Sequence, residues 1–348
     1  MWPTFLNDKW PKSMQSLPLI SIIVPVLNED QNIHRLYATV CSTLEPLADQ
    51  IRFEFVFTDN HSTDRSFEQL KGLAERDHRV RVLRFSRNFG YQASIMTGYL
   101  NANGQAVIQL DCDLQDPPAM IVQFLEHWKQ GYHVVYGVRR MRQEGYVVTM
   151  LRKLFYRIIN ALSEHPLPVD AGDFRLVDRR IVEELRKVDD ATPYLRGKIA
   201  TLGFKQIGIP YDRDARLHGE SKFNFSDLTK LAVDGILNHS TAPLRLATYC
   251  SQFIFLGALV VIAIYCLGRL TVGRDWPAGF ATLSVLILVS TSLNALFFGI
   301  MGEYIGRIYR QVKRSPLTIV EESVDGGRID GQPVNSDPTQ PNRTSQAA

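Results

Sequence analysis

The chain has 348 residues, with 39 Lys and Arg against 36 Asp and Glu and a net charge of +3. That length supports one large domain or two ordinary ones with a sizeable core, and the near balance of charge excludes a global field for nucleic acid. Four cysteines form no CxxC pair and eight histidines no HExxH, so reduced thiols are expected and zinc is not. Residues 1–17 hold no apolar run of signal-peptide length and are expected as an N-terminal extension that exports nothing.

From residue 19 to 137, short β-branched runs alternate with helical patterns. Residues 20–26 read as a strand, followed by a helix carrying Ile33, Leu36, Tyr37, Val40 and Leu44 at helical spacing. A second strand, 53–58, ends at Asp59, and Ser62 or Thr63 is expected to cap a helix presenting Phe67, Leu70 and Leu73. Further strands are expected at 80–85, 106–110 and 134–136, with helices at 92–100 and 119–128 between them. Such βαβ alternation implies an α/β domain with a mostly parallel sheet, and ligands that sit beyond the carboxyl ends of its strands. Polar residues collect at those ends: Asn28, Glu29, Asp59, Arg87, Asn88, Asp111 and Asp113. No GxGxxG and no GxxxxGK occurs, so a nucleotide here must be gripped by side chains.

The most informative segment is Asp111-Cys-Asp-Leu-Gln-Asp-Pro-Pro118. Two carboxylates one residue apart at a strand end, with the Gln115 amide nearby, suit a hard divalent cation, Mg²⁺ or Mn²⁺, that bridges to substrate phosphates. The bland alternative is an acidic loop leading into a helix. Further on, 146–162 has an apolar stripe beside Arg152, Lys153 and Arg157, as expected of a helix lying in the headgroup plane or, equally, of a surface helix packed on the domain. A second interfacial segment with its linker is expected at 226–245.

Residues 246–268 and 276–302 carry no charge. At about 1.5 Å per residue each can cross a hydrocarbon core of about 30 Å, giving a two-helix transmembrane hairpin. Arg245 before it and Arg307, Arg310, Lys313 and Arg314 after it place both termini and the large N-terminal region in the cytoplasm, on the positive-inside rule. Residues 303–320 are then a juxtamembrane helix. Residues 321–348, rich in Gly, Pro, Ser, Asn and Gln, are expected to be disordered.

These residues, in this order, resemble family 2 glycosyltransferases of the GT-A (Rossmann-like) fold, specifically polyprenyl-phosphate sugar synthases such as bactoprenol glucosyltransferases and dolichol-phosphate mannose synthase. The resemblance rests on Ile22-Ile-Val-Pro-Val-Leu-Asn-Glu29, Thr58-Asp-Asn-His-Ser-Thr-Asp64, Ser86-Arg-Asn-Phe-Gly90, the DxDLQDPP segment, Gly172-Asp-Phe-Arg-Leu176, His218-Gly-Glu-Ser-Lys-Phe223 and the hairpin ending in Gly302-Glu-Tyr-Ile-Gly-Arg307. It covers about residues 18 to 320, and it implies a GT-A catalytic domain over 18–225. Two positions depart from the pattern: Asn60 stands where an aspartate is usual, and Leu27 where many members have Tyr.

The resemblance implies that Pro25, Asn28, Glu29, Asp59 and Arg87 hold a nucleotide sugar, and that Asp111, Asp113 and Gln115 gather around a metal diphosphate. It carries over Asp173 as a base or an orienting group. Positive charge for an acceptor phosphate is expected from Arg139, Arg175, Arg213, Arg216 and Lys222. The implied reaction is inverting transfer of glucose from UDP-glucose to undecaprenyl phosphate at the cytoplasmic membrane, by a homo-oligomer. GDP-mannose or a UDP-4-amino-arabinose derivative are the alternative donors, and a lipid-carrier transporter or a non-catalytic sensor the alternative classes.

Overall fold

The computed structural model describes residues 16–139, 171–187, 195–212, 242–272, 280–313, 316–326 and 328–330. Strands and helices first alternate as β1 (Leu19–Val26), α1 (Ile33–Leu44), β2 (Arg52–Asp59), α2 (Ser66–Arg76), β3 (Val80–Phe85), α3 (Tyr91–Asn101), β4 (Ala106–Gln109), α4 (Met120–Lys129) and β5 (Val134–Arg139). Then follow β6 (Ala171–Asp178), α5 (Arg179–Arg186), α6 (Leu195–Thr201) and β7 (Gln206–Tyr211), the long helices α7 (Ala242–Val272) and α8 (Phe280–Val312), and the short strands β8 (Val320–Asp325) and β9 (Arg328–Asp330).

The described strands form one sheet in the order β7-β5-β6-β4-β1-β2-β3-β8-β9. Only β6 and β8 run against the common direction. Period-two alternation explains why both faces are covered. Ile20, Ile22, Val24, Phe55 and Phe57 face the cluster built with α1, α2 and α4, while Ile23 and Val56 face the one built with α3, α5 and α6. A Cβ on Gly104 would lie 2.6 Å from the Ser21 backbone nitrogen, so only glycine lets this turn approach β1 so closely. The sheet with its flanking helices is one compact unit, and α7 with α8 belongs to another.

The five early strands and four early helices fall within a few residues of their expected places. Three expectations are corrected. Helix α2 starts at Ser66, not after a Ser62 or Thr63 cap, and Asp64 Oδ1 accepts from the Ser66 amide at 2.9 Å. The expected juxtamembrane helix 303–320 is the last part of a continuous α8 that ends at Val312, with Pro316 just beyond, a residue that cannot continue a helix. The expected disordered tail begins instead with β8 and β9. Its low average apolarity hides the buried Val324, which with the buried Val320 just before it lets β8 satisfy the open edge of β3 in antiparallel register. Strand β6 was not read from the sequence at all, because Asp173 and Arg175 interrupt an otherwise apolar run.

Among the described residues no helix is long and apolar enough to cross a membrane. The uncharged runs 246–268 and 276–302 overlap α7 and α8, the first entirely. The expected interfacial helix at 146–162 lies outside the described residues, as does nearly all of 226–245, of which α7 takes the last residues.

The stretch 316–325 is anchored on several elements of the sheet unit. Ser86 N donates to Ile319 O at 3.0 Å, the Thr97 and Thr318 hydroxyls share a buried hydrogen bond of 2.8 Å, and Lys71 Nζ reaches Glu322 Oε1 at 3.2 Å. Deleting residues 316–348 removes two buried valines, Val320 and Val324, whose burial contributes about 1.5 kcal/mol or more each, and should lower Tm by roughly 5–10 °C. A melt unchanged by the deletion would restore the disordered-tail reading.

Candidate active site

Strand order places the site. β1 lies between β4 and β2, so the chain crosses over in opposite directions on its two sides, and a crevice opens at the carboxyl ends there. A cavity of about 280 Å³ occupies it, lined by Pro25, Leu27, Glu29, Asn60, Asn88, Tyr91, Ser94, Asp111 and Asp113 among others. Among the described residues, three non-glycines adopt left-handed backbone, Asn28 (φ 56°), His61 (φ 64°) and Leu114 (φ 57°). Each sits on a turn that follows β1, β2 or β4. Such strain persists where the surroundings fix a loop for a purpose.

Asp111 is the most constrained carboxylate. Tyr91 donates its hydroxyl to Oδ1 at 2.6 Å and Gln109 Nε2 donates to the same oxygen at 2.9 Å. Burial, with added repulsion from Asp116, Asp173 and Asp113, pushes its pKa up to about 6 despite the Tyr91 bond. Asp113 shares the loop, and its Oδ1 accepts from the Gln115 amide at 3.2 Å. Gln115 is buried, and its Oε1 has no hydrogen-bond partner among the described residues. Two crowded carboxylates and an orphaned amide oxygen on one turn are a donor set that fits a hard cation. Among the described residues no group of three or more His, Cys, Asp or Glu could hold a metal. A cation here would therefore need oxygens from a ligand as well.

The turn after β2 corrects an expectation. Asp59 was expected to hold the nucleotide sugar; it is fully buried, Oδ1 accepting the Ser62 amide at 3.1 Å and Oδ2 lying 3.9 Å from Arg84 Nε. Burial pushes its carboxyl up. The cavity-lining residue of this turn is Asn60, and its amide suits the place. Nδ2 donates to Asn88 Oδ1 at 2.9 Å while Oδ1 accepts from the Phe89 amide at 2.9 Å, and Asn88 Oδ1 also takes the Gly90 amide at 2.8 Å. In this bonding pattern a carboxylate at position 60 could not donate to Asn88.

The other expected nucleotide residues divide. Pro25 and Glu29 line the cavity, and Glu29 Oε2 accepts from Asn32 Nδ2 at 2.6 Å. Asn28 instead braces the neighbouring turn, its Oδ1 accepting from the Thr63 amide at 2.8 Å. Arg87 is exposed and stacks over the Phe89 ring at 4.0 Å.

Of the expected acceptor arginines, Arg213 and Arg216 lie outside the described residues, together with Lys222. Arg175 is corrected to an interior role: it is buried and donates to Gly172 O at 2.8 Å. Arg139 lies near Asp116 at 4.0 Å and donates to the Tyr211 hydroxyl at 3.4 Å; Tyr211 in turn donates to Asp116. Asp173 is buried and paired in both oxygens with Arg196, at 2.7 Å from Nε and 2.6 Å from Nη2. Burial would raise this carboxyl, but the Arg196 bonds and charge hold it below the usual range. Tyr91, Gln109 and Arg196 were missed by sequence reasoning. Tyr91 and Arg196 act through carboxylates twenty or more positions away, and Gln109, two residues from Asp111, reads in sequence as part of its strand.

A testable consequence concerns Asp111. A folded carboxylate whose pKa is raised destabilises the metal-free protein above that pKa, and the penalty fades as pH falls from about 6 toward the unfolded value. Asp111→Asn keeps an acceptor for Tyr91 and Gln109 and removes the charge. It should raise metal-free stability at pH 7.5 by on the order of 1–3 kcal/mol, at about 1.4 kcal/mol per pKa unit, while abolishing any shift in melting on adding Mn²⁺. A variant less stable than wild type without metal would refute the electrostatic strain.

The Glycosyl transferase family 2 profile matches residues 21–186. An uncharacterized glycosyltransferase of Bacillus subtilis, YkcC, is 38% identical over 312 residues, covering 87% of this chain and 93% of that protein. The bactoprenol glucosyl transferase derived from the SfII prophage of Shigella flexneri is 34% identical over 308 residues, covering 88% of this chain and 99% of that protein. With relatives above 30% identity matched over nearly their whole length, and a sheet whose switch-point crevice carries the acidic turn, the chain is a glycosyltransferase and belongs to glycosyltransferase family 2, with the GT-A α/β fold.

Proposed function

We propose that this glycosyltransferase moves a sugar, glucose from UDP-glucose in the first instance, onto a polyprenyl phosphate such as undecaprenyl phosphate, with inversion, at the cytoplasmic face of a membrane. The observation that carries the reading is the joint lining of one crevice by Glu29, Asp111 and Asp113, in a chain matched nearly end to end by bactoprenol glucosyl transferases.

The crevice suits a nucleoside diphosphate sugar. Pro25 and Leu27 offer apolar surface for the base, and Glu29 is an acceptor for hydroxyl or N–H groups. Asp111, Asp113 and Gln115 Oε1 would hold Mg²⁺ or Mn²⁺, which when bound neutralises charge on a departing diphosphate. Tyr91 and Gln109 fix the Asp111 carboxylate through one oxygen, so its orientation is set before any ligand arrives. The acceptor supplies its own nucleophile. A phosphate monoester has a second pKa of about 6 and carries an anionic oxygen at neutral pH. Asp173, held below the usual carboxylate range by Arg196, is a weak proton acceptor, so its better role is orientation. Attack from the side opposite the diphosphate inverts the anomeric carbon.

The membrane part of the reading is supported by the two uncharged runs of the sequence and by exposed apolar side chains such as Phe253, Leu256, Ile264 and Leu270 along the helices that they overlap, although no described helix is by itself long and apolar enough to cross a membrane. A lipid acceptor cannot leave the bilayer, so a hairpin anchor brings the enzyme to it. The same resemblance implies a homo-oligomer, which sedimentation of the solubilised protein tests.

The deciding experiment is a donor screen with purified protein, undecaprenyl phosphate, Mg²⁺ or Mn²⁺ and a set of UDP- and GDP-sugars, the glycolipid read by mass spectrometry. UDP-glucose should give a glucosyl lipid phosphate, and GDP-mannose should give far less. Asp113→Ala should abolish transfer while leaving membrane insertion intact. Product with GDP-mannose alone would replace the sugar assignment, and undiminished transfer by Asp113→Ala would remove the metal assignment.

A further inference from the structure

Strand β6 carries two opposite charges into the sheet, and they are compensated in different ways. Arg175, 5% exposed, satisfies itself on the Gly172 carbonyl within its own strand. Asp173, 8% exposed, instead recruits Arg196 from α6, through the two parallel bonds already described. The pair is asymmetric, for the Arg196 side chain is 36% exposed against 8% for its partner. A buried anion therefore holds a cation that keeps about a third of its side chain accessible. Pairing along one edge of the guanidinium fixes both its plane and its direction.

Arg196 is also tied to the reacting end of the sheet. The Leu195 amide donates to Gln92 Oε1 at 3.3 Å, which pins the start of α6 to α3, and the Gln92 side chain bonds Asp173 as well. The neighbouring Tyr91 lies within electrostatic range of Arg196 and donates to Asp111. Four carboxylates, Asp111, Asp113, Asp116 and Asp173, crowd this region, with repulsion among them felt at Asp111. A phosphate carrying close to two negative charges is repelled by such a cluster, and because the cation proposed for Asp111 and Asp113 also serves the donor diphosphate, a second positive group beside the acceptor favours its approach. Among the described arginines expected for that task, Arg175 is turned inward and Arg139 sits against Tyr211 and Asp116. As a stability device alone, a buried ion pair gains little over apolar packing.

We propose that Arg196, aimed by Asp173, is a phosphate-binding residue for the acceptor, and that Asp173 is its positioning residue. This deepens the polyprenyl-phosphate reading and rests on it. The guanidinium receives the acceptor's phosphate and shields it from the acidic turn, while the phosphate oxygen itself attacks the sugar.

The test uses the full-length protein in detergent or nanodiscs, with undecaprenyl phosphate and the donor that the screen identifies. Arg196→Gln should raise the apparent KM for lipid phosphate by at least about tenfold, and leave the donor KM within about twofold. Arg196→Lys should recover part of that loss. Asp173→Asn should raise the lipid KM in the same selective way and keep the shape of the kcat–pH profile. A lipid KM unchanged in Arg196→Gln, an equal rise for donor and lipid, or loss of the acidic limb of the kcat profile in Asp173→Asn would each overturn the proposal. Should Arg196→Gln fail to fold, Arg196→Lys decides: it keeps the charge and loses the two-pronged geometry, so a selective rise in lipid KM supports the assignment and an unchanged one overturns it. Failure of the wider reading looks different, because wild type would then transfer sugar to no polyprenyl phosphate.

Discussion

Keeping the Asp111 carboxylate ionised inside the sheet's crevice is the constraint on which the site depends. Burial and three neighbouring acids oppose the charge, while Tyr91 and Gln109 hold the group in place rather than neutralise it. A protein keeps such a strained group where a ligand of opposite charge relieves it. The turn is fixed accordingly. Leu114 takes a left-handed backbone, the Gln115 amide closes on Asp113, and Tyr211 with Arg139 brackets Asp116 at the end of the same segment. The site is thus organised around negative charge, with Arg139 and Arg196 each set against one of its carboxylates.

That arrangement explains why β6 crosses the sheet against the common direction. Lying beside β4, it brings Asp173 and Arg175 next to the strand that ends in the acidic turn. A parallel strand in that position would offer the opposite end of the strand to the crevice. The antiparallel insertion is thus a means of adding charged side chains to a switch-point site that the early βαβ units cannot supply.

Much of this was legible in the sequence, and what was not has physical reasons. Strands such as β1 and β2 announce themselves because parallel strands covered on both faces need nearly continuous apolar residues. The acidic turn was legible because DxDLQDPP combines cation-ligand spacing with a strand before and prolines after. The tail was misread because Val324 alone does not lift its average hydropathy, yet with Val320 just before it suffices for a strand that a ready-made edge stabilises. Asp59 was misplaced because a strand-end carboxylate looks the same in sequence whether it faces ligand or its own turn. Asn60, noted only as a departure, becomes intelligible once Asn88 and Phe89 are seen beside it. Arg196 gave no signal at all, since an arginine's meaning depends on the carboxylate it meets, here from a strand more than twenty positions earlier.

Calorimetric titration of UDP into the wild-type protein at pH 7.5, first with Mn²⁺ and then with excess EDTA, bears most directly on the claim that the Asp111 charge is kept for a cation shared with a diphosphate. The account predicts that EDTA weakens UDP binding by at least about tenfold in wild type, and that Asp111→Asn binds UDP with the same weak affinity in both conditions. Equal affinity in wild type with and without the metal would contradict it.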